Sequence, residues 1–183
     1  VDLYLIHQPF GDYYGAWRAM ERLYREGAVR AIGVSNFTSE RLVDLCMNQE
    51  CKPMVNQIEI HPFFQQNTAL RVMEDYGVIP QAWGPFSEAQ KDIFNHKTLA
   101  KIANRHGKTT AQVILRWHLQ RNIPAIPKTV RKERMTENLD IFDFELTEKE
   151  MESIAGMDIG HSEIIDHHCF CTARQLNSVK IHG

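Results

Sequence analysis

Apolar residues recur along this chain in two alternating patterns. Short, nearly continuous apolar runs occur at 1–7 (VDLYLIH), 29–35 (VRAIGVS), 54–60 (MVNQIEI), 78–83 (VIPQAW) and 123–127 (IPAIP), and each reads as a β-strand. Pro80 argues mildly against a central place for the fourth. Between the runs lie longer stretches with the spacing of amphipathic helices. One covers 14–26 and closes at Gly27. A second opens at Thr38, with Glu40 in its first turn and Leu42, Leu45 and Cys46 on one face. A third begins near Asn67, carries Leu70 and Met73 and stops at Gly77. Helices follow over 97–106, ending at Gly107, over 110–120, ending near Asn122, and from about Arg131. The last predicted helix covers 147–155, where Thr147 and Glu150 form a capping box and Leu146 and Met151 its hydrophobic staple. Beyond Gly160 the pattern becomes irregular.

Strands separated by helices imply right-handed βαβ units and a parallel sheet, hence an α/β fold. A doubly wound dinucleotide domain places G-x-G-x-x-G after its first strand, and no such motif occurs. The spacing of the units fits a (β/α)8 TIM barrel, whose full length is roughly 250 residues. The 183 residues therefore read as one domain, 1–183, holding about the last five βα units of a partial barrel, with 160–183 as a C-terminal loop or tail. From the abrupt apolar start at Val1 the other units are expected upstream. Such a chain alone has open strand edges and an uncovered core face, and is expected to aggregate, associate or stay partly molten.

Composition narrows the partners. With 43% hydrophobic and 24% charged residues and a formal charge of −2, the chain suits a soluble globular protein and carries no electrostatic footprint for nucleic acid. No apolar run approaches the roughly 20 residues that span a bilayer. Cys46, Cys51, Cys169 and Cys171 are too sparse for a disulfide framework, so reduced thiols in a cytoplasmic protein are expected. The segment HSEIIDHHCFC at 161–171 is rich in metal-ligand types, but its spacing does not match a zinc site and no metal is assigned.

Chemistry gathers where the runs end. His7 ends the first, Ser35 and Asn36 the second, Asn56 and Gln57 lie in the third, Trp83 ends the fourth and Lys128 follows the fifth. In a barrel these ends share the face that holds the active site. After the fifth run, Lys128 precedes a helix carrying Arg134. A helix N-terminus, a point charge and a planar guanidinium together predict a phosphate site. An ordinary solvated basic helix end is the alternative for those two residues alone.

The segments VDLYLIHQP (1–9), IGVSNF (32–37), VNQIEIHP (55–62), IPKTVRKERMTEN (126–138) and IFDFELT (141–147) resemble, in order, signature segments of the aldo-keto reductases. QAWGPF at 81–86 resembles the diketogluconate and prostaglandin F reductase branch. The resemblance implies an NADPH-dependent reductase of aldehydes or ketones. It gives His7 the role of orienting the substrate carbonyl. It assigns the nicotinamide carboxamide to Ser35, Asn36 and Gln57, and the stacked aromatic to Trp83, with Gly84 and Phe86 beside it. Lys128, Thr129 and Arg134 match the grip on the 2′-phosphate, Val130 beside them is a further cofactor-binding candidate, and Glu137 and Asn138 match the contacts to adenine. Gln8 stands where many relatives have Trp, and Tyr13 and Tyr14, read as loop residues, are candidates to line the substrate pocket. The family's proton donor is a Tyr beside a Lys and an Asp, in segments that precede VDLYLIH. None of the three falls in this sequence, so the chain alone is expected to be inactive.

A non-catalytic NADPH-binding or regulatory protein on the same fold is the competing function. An unrelated sugar-phosphate isomerase would need a carboxylate base at a strand end, where only Glu59 stands. His61 reads as a structural, hydrogen-bonded imidazole, and Trp17 and Trp117 as core. The intact protein is expected to be a monomer acting on a small carbonyl substrate, without nucleic acid or membrane partners.

Overall fold

The computed structural model describes residues 1–179; the end of the expected tail, 180–183, lies outside them. Strands β1 (Leu3–Ile6), β2 (Ala31–Ser35), β3 (Val55–Glu59) and β4 (Ile79–Trp83) form one sheet in the order β1-β2-β3-β4. β1 pairs parallel to β2 in the register Leu3 with Ala31, and β2 parallel to β3 with Val34 opposite Asn56. The fifth predicted run, 123–127, forms no strand. A single parallel bridge joins Ala125 to Ala82. The reason is chemical: Pro124 and Pro127 have no N–H to donate, so two bonds remain, Ala82 N–H to Pro124 O at 2.8 Å and Ile126 N–H to Ala82 O at 3.1 Å.

The helices are α1 (Tyr13–Arg25), α2 (Ser39–Asn48), α3 (Asn67–Tyr76), α4 (Lys97–His106), α5 (Thr110–Gln120), α6 (Lys132–Leu139), α7 (Glu148–Ala155) and α8 (Phe170–Ser178). α4 ends on Gly107 at φ +63°, a left-handed cap that glycine adopts without a Cβ clash. Thr147 and Glu150 make the predicted capping box of α7, and Thr109 and Gln112 make a second at the start of α5. Three expectations need correction. Tyr13 and Tyr14 are not loop residues: α1 starts at Tyr13, one residue before the helix expected over 14–26, because Asp12 caps it through the N–H of Gly15 at 2.8 Å. The tail is not wholly irregular, since it contains α8. Cys169 and Cys171 are not reduced thiols but are joined by a disulfide, whereas Cys46 and Cys51 are free. An unforeseen 3₁₀ segment covers Ser87–Asn95, with left-handed backbone at Glu88, Ala89, Lys91 and Asp92.

The residues group into two compact units. The first comprises Val1–Ile58, Asn67–Pro80 and the described residues from Ile165 on; the second comprises Glu59–Gln66 and Gln81–Ile164. In the first unit Trp17, Ile32, Val34, Leu42, Leu45 and Met73 are buried, and the indole N–H of Trp17 donates to Cys51 O at 3.0 Å. Each such side chain contributes about 1.5–3 kcal/mol through burial. Gly33 of β2 lies so close to β3 that an added Cβ would sit 2.5 Å from Val55 O. The core of the second unit contains Ile93, Leu99, Ile114, Trp117 and Ile154. α6 buries none of its residues, and Met135, Leu139 and Phe142 border an apolar cavity of about 360 Å³. Among the described residues no helix is long and apolar enough to cross a membrane.

Candidate functional site

In the first unit the ends of β1, β2 and β3 are tied together through side chains. The Asn36 amide donates to His7 O at 3.1 Å, the Ser35 hydroxyl donates to Gln57 O at 2.9 Å, and Asn36 N–H donates to the same carbonyl at 2.9 Å. Asn36 has φ +61°, a conformation that Asn tolerates better than most residues and that lets its amide turn back to β1. Asn56, buried in β3, donates to Phe37 O at 2.9 Å. The His7 imidazole stays exposed. Gln8 accepts from His167 of the tail, the two atoms being 3.1 Å apart when Nε2 carries the proton. The structure therefore gathers His7, Ser35, Asn36 and Gln57 into one bonded set, with Gln8 adjoining. Tyr13 packs edge-on to Phe37, while the Tyr14 hydroxyl donates to Asp44 at 2.6 Å. That bond to Asp44, with partial burial, pushes the Tyr14 pKa up to about 12, so this hydroxyl is bound in a surface pair.

In the second unit a cavity of about 400 Å³ is lined by Phe86, Lys128, Thr129, Arg134, Glu137 and Asn138 together with Phe94, Thr109, Thr110 and Ala111. Six of the nine candidates that lie in this unit thus share one wall. Trp83 and Gly84 are not in that lining but at the end of β4, and Val130 points to solvent, 82% exposed. Among the described residues neither Lys128 nor Arg134 has a hydrogen bond or ion-pair partner. Neighbouring cations differ: Lys108 pairs with Asp140 and Asp143, both at 2.8 Å, and Arg116 with Glu145 at 3.1 Å. The Thr129 hydroxyl accepts from the N–H of Arg131 at 3.1 Å, which fixes the turn into α6. Thr109 donates to Glu137 at 2.7 Å, joining the start of α5 to α6 across the cavity wall. Thr109, Thr110 and Phe94 were not among the sequence candidates. The T-x-x-Q spacing of Thr109 and Gln112 marked a helix start there, and a helix start is a place for an anion.

Glu59 takes no part in this cavity. Its two oxygens are held by His61 Nε2 at 2.9 Å and by the Ser162 hydroxyl at 2.6 Å, with Glu59 and His61 both buried. A carboxylate so occupied is a structural anchor and not a free base. His118 is buried nearby in the sequence of α5. Burial, then the charges of Arg121 and His61, pushes its pKa down to about 3. Among the described residues no group of three or more His, Cys, Asp or Glu side chains could hold a metal ion.

A family model, the Aldo/keto reductase family, matches residues 1–159. The chain belongs to that family. The uncharacterized oxidoreductase YtbE and the glyoxal reductase of Bacillus subtilis are 46% and 45% identical to it, each over 86% of this chain. The chain spans 56% and 57% of those two proteins, somewhat over half their length. Among solved structures, an aldo-keto reductase of Bombyx mori in complex with NADP is 32% identical with a TM-score of 0.84, covering 91% of this chain and 60% of that one. The chain therefore shares the (β/α)8-type α/β fold of the aldo/keto reductases.

Proposed function

We propose that this aldo/keto reductase chain binds NADPH and belongs to an enzyme that reduces small aldehydes or ketones. The observation that carries the reading is the cavity whose two cations, Lys128 and Arg134, have no partner among the described residues. Unpaired cations beside a hydroxyl and a helix N-terminus match a ligand phosphate in charge and in geometry. The residues fit the 2′-phosphate of NADPH: Lys128 and Arg134 meet its charge, the turn from Thr129 into Val130 supplies its backbone frame, and Glu137 and Asn138 reach the adenine. Ser35, Asn36 and Gln57 bind the carboxamide, Trp83 lies against the nicotinamide ring with Gly84 beside it, and Phe86 lines the cavity with the two cations. When bound, the cofactor supplies a hydride to the substrate carbonyl carbon. His7 donates to the carbonyl oxygen and orients it, and Gln8 borders the substrate. Tyr14 is excluded from proton transfer by its bond to Asp44.

The bound NADP in the Bombyx mori reductase supports the cofactor, and the name of the glyoxal reductase supports a small carbonyl substrate. On this reading the chain corresponds to about the last five βα units of a single barrel domain. The enzyme acts in the cytoplasm as a monomer. Proton delivery depends on the family's Tyr, Lys and Asp, which match no residue of 1–183, so these residues alone bind cofactor without turning it over.

The test is a titration of the 183-residue chain with NADPH and with NADH, followed by Trp fluorescence. Lys128→Ala and Arg134→Ala should each weaken NADPH about 10- to 100-fold, the loss of one charge-assisted contact, and should change NADH by less than about threefold. Equal losses for the two cofactors would reject the phosphate assignment.

A further inference from the structure

The His- and Cys-rich part of the tail from Ile165 to Cys171 has no role in the reading above, yet it is built into the first unit. Cys169 and Cys171 are bonded across a single residue. The same Cys169 caps α8, its Sγ accepting from the N–H of Cys171 at 3.3 Å. Cys171 is exposed, Cys169 half-buried, and the intervening Phe170 is 83% exposed. Two residues upstream of the disulfide, His167 is bonded to Gln8, the neighbour of His7, and His168 lies 3.6 Å from Glu40 at the start of α2.

We propose that Cys169–Cys171 is a redox modification site, opened by a dithiol, that sets how firmly the tail holds Gln8. The exposed Sγ of Cys171 is open to attack by a reductant thiolate. That attack forms a mixed disulfide on Cys171 and breaks the bond to Cys169, whose sulfur leaves as a thiolate. The leaving sulfur sits at the N-terminus of α8, where backbone N–H groups favour negative charge, so Cys169 is the better leaving group of the two. The second thiol of the reductant then attacks the mixed disulfide and expels Cys171. The protein gains two electrons and two protons, and the reductant becomes an intramolecular disulfide; an oxidised dithiol partner reverses each step. In a reducing compartment a disulfide is typically transient or redox-sensing, and an exposed pair fits that use better than a structural one.

Closing the ring fixes the backbone that runs from His168 into the first turn of α8, and with it the approach of His167 to Gln8. Opening it leaves α8 with its Cys169 cap but frees the side-chain torsions that the S–S bond had fixed. Only the consequence for substrate at His7 rests on the reductase reading; the redox site does not.

The full 183-residue chain is the test object. Air-equilibrated and denatured without reductant, it should titrate two thiols, Cys46 and Cys51, and after dithiothreitol all four, with a mass increase of about two units. Hydrogen exchange over 161–172 should quicken about tenfold on reduction. Cys171→Ser keeps the Cys169 cap and cannot form the bridge, so it should exchange like the reduced chain with or without dithiothreitol. Four thiols in the air-equilibrated protein, or identical exchange before and after reduction, would overturn the proposal. None of these readouts depends on NADPH binding, so failure here and failure of the reductase reading are separable.

Discussion

The polar groups at the ends of β2 and β3 are already bonded to backbone, whereas the cations after residue 127 bond to nothing among the described residues. Ser35 and Asn36 direct their side chains at the carbonyls of Gln57 and His7, so their geometry is set when the strands pair. Lys128 and Arg134 keep their donors open. The first arrangement stabilises the fold and presents His7 in a fixed place; the second stabilises nothing until an anion arrives. Within each unit the local structure thus decides whether a polar group folds already bonded or stays open, and mutations should separate the two.

The largest effect is expected from Gly33→Ala. The new Cβ would meet Val55 O, a backbone atom that can move only if β2 and β3 part, at a cost of about 3 kcal/mol. Urea denaturation measures this, and a cost under about 1 kcal/mol would mean that the strands have room.

Acid should act next, and chiefly on the second unit. His118 is held neutral there, its pKa down at about 3 against an ordinary 6.5 when unfolded. Its contribution is complete above pH 6.5 and is lost as pH falls from there towards 3. For Glu150 burial raises the pKa, but the hydrogen bonds from Thr147, His106 and Arg105 outweigh it and bring the value to about 2. That contribution is complete above 4.5 and is lost as pH falls towards 2. His118→Phe should therefore flatten the stability profile between pH 6.5 and 4.5 and leave the lower part intact. An unchanged slope in that window would show that His118 is not the group concerned.

The smallest effect sharpens the comparison most. Lys128→Met and Arg134→Met should change unfolding stability by no more than about 0.5 kcal/mol, as substitutions of unpartnered surface groups. Lys108→Met, which removes two ion pairs, should lower the melting temperature more than either. If Lys128→Met proves as damaging as Lys108→Met, Lys128 is not an open donor.

Much of this was legible in the sequence, for local reasons. Four apolar runs became β1 to β4, and the capping box of Thr147 and Glu150 formed as its spacing required. Lys128 and Arg134 could be grouped because a helix start follows an apolar run, a relation confined to a few residues, while Glu137 and Asn138 were added by the family resemblance. What escaped depends on distant partners or on weak periodicity. α8 buries only Thr172, so it has no apolar stripe to reveal it. Thr109 and Thr110 join the cavity through tertiary packing of α5 against α6, which no local pattern encodes. The Cys169–Cys171 bond is a choice of pairing that cysteine spacing leaves open. The run at 123–127 misled because its apolar content fits a strand while its prolines deny it a ladder.

Those prolines leave an experimental handle. With no amide hydrogen at 124 or 127, the seating of this stretch on β4 is reported from its own side by the Ile126 proton, through its bond to Ala82 O, and from β4 by the Ala82 proton, through its bond to Pro124 O. Two residues after Ile126 comes Lys128. A spectroscopist following the Ile126 and Ala82 resonances during a titration would watch the footing of the cationic loop from both sides.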